Sequence, residues 1–69
     1  MNVICDTTRP NGVRVIIEDY DNPDGSIIFK VKSYYSDGSS RDCKFFGIFD
    51  SALSCYNRTV DQENKENKQ

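Results

Sequence analysis

The sequence predicts an α+β fold: an antiparallel β-meander of three to four strands packed against one short C-terminal α-helix. Two runs, Val13 to Tyr20 and Ser26 to Tyr35, alternate apolar and polar residues with the period of a half-buried strand. Glycine-containing turn clusters bound them, at Arg9-Pro10-Asn11-Gly12, Asp21-Asn22-Pro23-Asp24-Gly25 and Ser36-Asp37-Gly38. After a third alternating run, Leu53, Tyr56 and Val60 recur at helical spacing.

Taken in order, Val3 to Cys5 is short and β-prone enough to add an edge strand before the first turn. Val13, Val15 and Ile17 then share one face of the next strand, with Arg14, Ile16 and Glu18 on the other. In the following strand Ile27, Phe29 and Val31 oppose Ile28, Lys30, Lys32 and Tyr34. The run from about Ser39 to Gly47 places Cys43 and Phe45 against Asp42, Lys44 and Phe46. Gly47 lets the chain leave the sheet, and Asp50 is suited to capping the N–H groups of a helix that begins near Phe49. Asp61 to Gln69 contains no apolar residue, so ordering it would cost entropy without burial. One domain over residues 1–60 with a flexible polar tail at 61–69 is the expected organisation.

Register follows from keeping apolar faces together, because a one-residue slip sends every side chain to the opposite face. Matching the first hairpin on this basis sets Ile17 against Ile27, Val15 against Phe29 and Val13 against Val31. In the second, a two-residue Asp37-Gly38 turn would set Val31 against Lys44 and Lys30 against Phe45, mixing the faces. A three-residue loop, Ser36-Asp37-Gly38 with the glycine in the left-handed region, instead pairs Val31 with Cys43, Phe29 with Phe45, Lys32 with Asp42 and Ile28 with Phe46. This second register is the expected one.

Composition narrows the function classes. In 69 residues, 36% apolar and 29% charged, there is room for one small core only. Nine Lys and Arg against eleven Asp and Glu give a formal net charge of −2, which supplies no overall attraction to phosphate or anionic lipid. There is no histidine, the side chain that most often performs general acid/base work near neutral pH. The N-terminal stretch has neither the basic start of a signal peptide nor the length of a membrane span, and three cysteines are not the even-numbered framework of a secreted scaffold. A cytoplasmic protein with reduced thiols and no membrane partner is expected.

Chemistry-bearing constellations are sparse. Cys5, Cys43 and Cys55 lack the paired spacing of a zinc site, and no histidine is present to activate a thiolate. Placing Gly25 at the sixth position of an EF-hand loop makes Tyr20 the first ligand and Val31 the twelfth, neither of which binds calcium. Neither catalytic residues nor a metal or cofactor site is assigned, and no enzymatic activity is expected. Glu18, Asp19, Asp21 and Asp24 form an acidic stretch that would suit a basic surface.

The outward sheet face carries the strongest functional signal. In the expected register Arg14, Lys30 and Lys44 form a cationic row beside an apolar row of Ile16, Ile28 and Phe46, with Tyr34 nearby. If the only helix lies on the other side, that apolar row is uncovered, as at an interface with a protein partner or a second copy of the chain. Nucleic acid is the alternative, with Tyr34 and Phe46 stacking on bases while Lys30 and Lys44 meet phosphates.

In this plan, a meander from Val13 to Gly47, one helix after Phe49-Asp50 and a polar tail, the chain resembles the small acidic accessory proteins of bacteriophages and mobile elements, including anti-CRISPR-type inhibitors. The resemblance implies a non-catalytic inhibitor that occupies a surface of a host protein or complex in the host cytoplasm.

Overall fold

Three hairpin turns of one design set the architecture. Pro10-Asn11-Gly12, Pro23-Asp24-Gly25 and Ser36-Asp37-Gly38 each form a three-residue loop whose glycine has φ of +89°. In every case the glycine N–H donates to the carbonyl three residues back, at 2.8, 3.0 and 2.9 Å. The flanking pairs Arg9/Val13, Asn22/Ser26 and Tyr35/Ser39 close the loops at 2.8, 2.8 and 2.9 Å. The central Asn or Asp then accepts the N–H two residues on, at 3.0, 2.9 and 2.9 Å. This is a type I turn followed by a left-handed residue, whose twist suits antiparallel strands.

The computed structural model describes residues 2–67, with side chains described as far as residue 62. Between the turns run β1 (Asn2–Thr8), β2 (Arg14–Asp21), β3 (Ile27–Tyr34) and β4 (Ser40–Phe46), followed by α1 (Phe49–Asn67). The strands form one antiparallel sheet in the order β1-β2-β3-β4. The α+β meander with its C-terminal helix is therefore observed, with the N-terminal segment supplying the fourth strand.

Both expected registers are corrected. The tight Pro23-Asp24-Gly25 loop brings Asp21 opposite Ile27, so Ile17 pairs with Val31, Val15 with Ser33 and Arg14 with Tyr34. Ile17 does not meet Ile27. The displacement is an even number of residues, and every side chain of β2 and β3 keeps its expected face. In the second hairpin the three-residue loop forms as expected, with Tyr34 opposite Ser40, but the register shifts between Ser33 and Tyr34. Arg41 is the extra residue of a bulge. Beyond it Asp42 faces Ser33, Val31 faces Lys44, Lys30 faces Phe45 and Phe29 faces Phe46. This odd displacement turns β4 over: Phe46 packs against the core, and Phe45 points away from it.

The core lies between the sheet and α1. Val13, Val15, Ile17 and Val31 meet Ala52, Cys55 and Tyr56, with Cys5, Phe29, Phe46, Leu53 and Val60 packed around them. Ala52, Cys55 and Tyr56 fall three and four residues apart, which puts them on one helix face. The Phe29 and Phe49 rings meet edge to face at 5.5 Å, and Thr7 and Tyr56 share a hydroxyl–hydroxyl hydrogen bond. Burial of this kind contributes about 25 cal/mol per Å² of apolar surface removed from water.

The helix begins one residue before Asp50, with Ala52 N–H donating to Ile48 C=O at 3.2 Å. Asp50 lies inside the first turn, where its negative charge opposes the positive end of the helix dipole. The backbone remains helical to Asn67, through most of the stretch expected as a tail. Adding residues to an existing helix is inexpensive once the nucleus is anchored, and Gln, Glu and Lys are good helix formers. Lys68 and Gln69 of that expected tail lie outside the described residues.

Gly12 is the most constrained of the turn glycines. A Cβ there would lie 2.5 Å from Ser36 Cβ, whereas at Gly25 and Gly38 it would meet nothing within 4 Å. Gly12→Ala is expected to lower the urea midpoint by more than Gly25→Ala or Gly38→Ala. The latter two carry only the left-handed backbone cost of about 1–2 kcal/mol. Equal losses in all three would show that the two turns do not press together.

Candidate protein-binding surfaces

The helix-free face has a row structure fixed by the observed pairing. Asp6, Ile16, Lys32 and Cys43 form one row, and Val3, Glu18, Lys30 and Phe45 the next. Thr8, Arg14, Tyr34 and Ser40 form a third, and Tyr20 stands opposite Ile28.

The two rows expected from sequence are therefore not assembled. Arg14 adjoins Tyr34, Lys30 adjoins Glu18 and Phe45, and Lys44 lies on the opposite side with Val31. Ile16 is only 3% exposed, Ile28 is half-buried beside Tyr20, and Phe46 belongs to the core. The four-residue displacement separates Ile16 from Ile28, and the bulge removes Lys44 and Phe46 from this face.

A polar network covers the centre of the face instead. Glu18, 7% exposed, is 2.9 Å from Lys32 Nζ and accepts the Tyr20 hydroxyl at 3.1 Å. Lys30 Nζ donates to the Tyr20 oxygen at 3.2 Å and lies 4.3 Å from the Tyr20 ring centre and 5.0 Å from that of Phe45. The Lys32 hydrogen bond holds the Glu18 carboxyl below its usual pKa, outweighing the upward push of burial, with Tyr20 assisting. Glu18 in turn raises the Lys32 pKa. At the rim, Arg14 grips Asp6 with two hydrogen bonds of 3.0 and 2.7 Å, lowering the pKa of Asp6 and raising its own. Flanked by such long side chains, Ile16 is sheltered without a second helix, since their aliphatic stems can lie on apolar surface while the charges stay wet.

The expected acidic cluster is dispersed. Glu18 is in this network, Asp19 accepts the Asn2 backbone N–H at 3.1 Å, and Asp24 is bound within its turn to the Ser26 N–H and hydroxyl at 2.9 and 2.7 Å. Asp21 and Asp24 remain near the β2–β3 turn. Thr8, Arg14, Tyr34 and Tyr35, with the turns at Gly12 and Gly38, line an open cleft of about 300 Å³ at the other end of the sheet.

Among the described residues, large apolar side chains are exposed at Val3 and Ile4 on β1, at Tyr35 before the β3–β4 turn, and as a group at the β4–α1 end. Ile27, Phe45, Ile48 and Phe49 are all exposed, Phe45 at 63% and Ile48 at 66%. They sit where β3 begins and β4 runs into α1, so one end of the sheet carries them together. The sequence signal for this end is Phe45-Phe46-Gly47-Ile48-Phe49, four large apolar residues in five at the exit of an edge strand. Such a run exceeds what one short strand can bury.

No protein-family model matches the chain, and no curated protein or solved structure matches it either. Among the described residues, no helix is long and apolar enough to cross a membrane, and no group of three or more Cys, Asp or Glu is placed to hold a metal ion.

The network predicts an acid limb. Because the Glu18 pKa is lowered on folding from an ordinary value of 4.5, its contribution is present above that pH and is lost as pH falls through the folded-state value. The urea midpoint should decline below about pH 4.5, with Asp6 adding to the loss, and Glu18→Gln should flatten the decline. Lys32→Met, which strands a buried carboxylate, should cost roughly 2–3 kcal/mol at pH 7. A neutral Lys32→Met would show that the pair does not stabilise the fold.

Proposed function

We propose that this chain is a non-catalytic protein-binding module that inhibits by occupying a surface of another protein, as the small phage and mobile-element inhibitors it resembles do. The observation that carries this reading is the exposed apolar end formed by Ile27, Phe45, Ile48 and Phe49. Ile27 on the helix side and Phe45 on the opposite side flank the β4–α1 connection, and large apolar side chains left in water at one end of so small a domain suit the desolvated centre of an interface. Lys30 beside Phe45 and the carboxylates of Asp21 and Asp24 near Ile27 supply a charged border that can select a partner. The binding surface thus moves from the middle of the sheet to its end. Ile28 and Lys30 remain available at its margin on the helix-free face, while Tyr34 and Arg14 lie together at the other end of the sheet.

Nucleic acid is the second reading, favoured by the Tyr20 and Phe45 rings around Lys30. Against it, Arg14 and Lys32 are already paired with carboxylates on the same face. A host-cytoplasm partner remains part of the proposal.

Ile27→Lys combined with Ile48→Lys should abolish capture of the partner from lysate of the source cell while leaving the circular-dichroism melt within a few degrees of wild type. A partner retained equally by both proteins would overturn the assignment. Binding to random oligonucleotides that weakens steeply with salt would favour the second reading instead.

A further inference from the structure

We propose that two copies of this chain associate through the open edge of β4, pairing antiparallel about a two-fold axis at Cys43 and joining their sheets into one. β4 hydrogen-bonds to β3 on one side only, which leaves a row of backbone donors and acceptors on the other. The phase of that row is fixed. Closure of the β2–β3 turn by Asn22 and Ser26 makes the even-numbered residues of β3 bond to β2, so its odd-numbered residues bond to β4. Through the observed register, Asp42, Lys44 and Phe46 then face β3, and Cys43 and Phe45 turn their N–H and C=O groups outward. Consistently, the Cys43 N–H is held by the side chain of its own neighbour, Asp42 Oδ1, at 2.9 Å.

An axis at Cys43 satisfies both backbone and charge. Cys43 meets its own counterpart as a hydrogen-bonded pair, and on the helix side Asp42 of each copy faces Lys44 of the other, giving two opposite-charge pairs. Phe45 comes into register with Arg41 of the second copy. The neighbouring registers are worse: an axis at Asp42 sets carboxylate against carboxylate, and one at Lys44 sets ammonium against ammonium, directly opposed. Asp42, Cys43, Lys44 and Phe45 are all exposed in the single chain. The opposite edge, β1, lacks this complementarity: its register shifts between Val3 and Cys5, it carries no cation, and Asp6 is held by Arg14. Asp42 thus shields the edge in the free chain and becomes a pairing group when a second copy arrives. This pairing uses neither Ile27 nor Ile48, and Phe45 is the residue common to the two surfaces.

Sedimentation equilibrium at neutral pH should show reversible association to twice the 7.9 kDa chain mass. Lys44→Glu alone and Asp42→Lys alone should each weaken association about tenfold or more, because both pairs become repulsive. An equimolar mixture of the two variants should recover a heterodimer. Across its axis the native Asp42 of one chain meets the native Lys44 of the other, and the introduced carboxylate meets the introduced ammonium. A short bis-maleimide should link wild-type chains through Cys43, mapped by mass spectrometry, a readout that needs no variant to fold. A chain that stays monomeric up to about 1 mM, a dimer indifferent to both charge variants, or cross-links confined to Cys5 would each overturn the proposal. Loss of lysate partners in the Ile27/Ile48 variant with self-association intact would separate this surface from the other.

Discussion

One helix can shelter one face of a sheet, and this sheet has two. Strand β2 bears the consequence: Val15 and Ile17 are buried beneath α1, while Ile16 and Glu18 are buried on the side that α1 never reaches. On that second side the covering is made of charged side chains lying flat, and it holds because the charges are matched. Glu18 is the pivot, bound to Lys32 directly and linked to Lys30 through Tyr20. A buried carboxylate without such partners would be strongly unfavourable, so the ion pair and the burial of its neighbour Ile16 depend on each other.

Much of this is legible in the residues. Alternation places β2 and β3 on their correct faces, and the helical spacing of Leu53, Tyr56 and Val60 places α1 on the correct side of the sheet. The expected register of the first hairpin fails because it centres the turn on Asn22, two residues before Asp24, where the chain reverses. Treating Pro23-Asp24-Gly25 as the kind of turn inferred for Ser36-Asp37-Gly38 leads directly to the observed pairing of Ile17 with Val31. The information is present, since all three turns combine a Pro or Ser, an Asn or Asp, and a Gly in that order.

The bulge at Arg41 is not legible. Nothing local marks that residue as the site of a bulge; the shift is favoured by what it achieves downstream, bringing Phe46 beside Phe29 and under the helix. Tertiary packing overrides a pattern in which Phe45 is an equally good core residue, because two adjacent phenylalanines leave the face ambiguous. That ambiguity carries over to the candidate site. Alternation alone puts Lys44 and Phe46 on the binding face through this same strand, whereas the exposed Phe45 and Ile48 lie one and two residues away from Phe46.

Because every strand pairs with its neighbour along the chain, the entropy lost in closing each hairpin is small, and hairpins of this kind form in about 1–10 μs. Only α1 must return across the molecule, as the Thr7–Tyr56 contact between its middle and the first strand shows. The meander has low contact order and is quick to assemble on its own, but until the helix arrives its apolar side is open to water and to other chains. Docking of the helix is therefore the step that takes the apolar side of the sheet out of water.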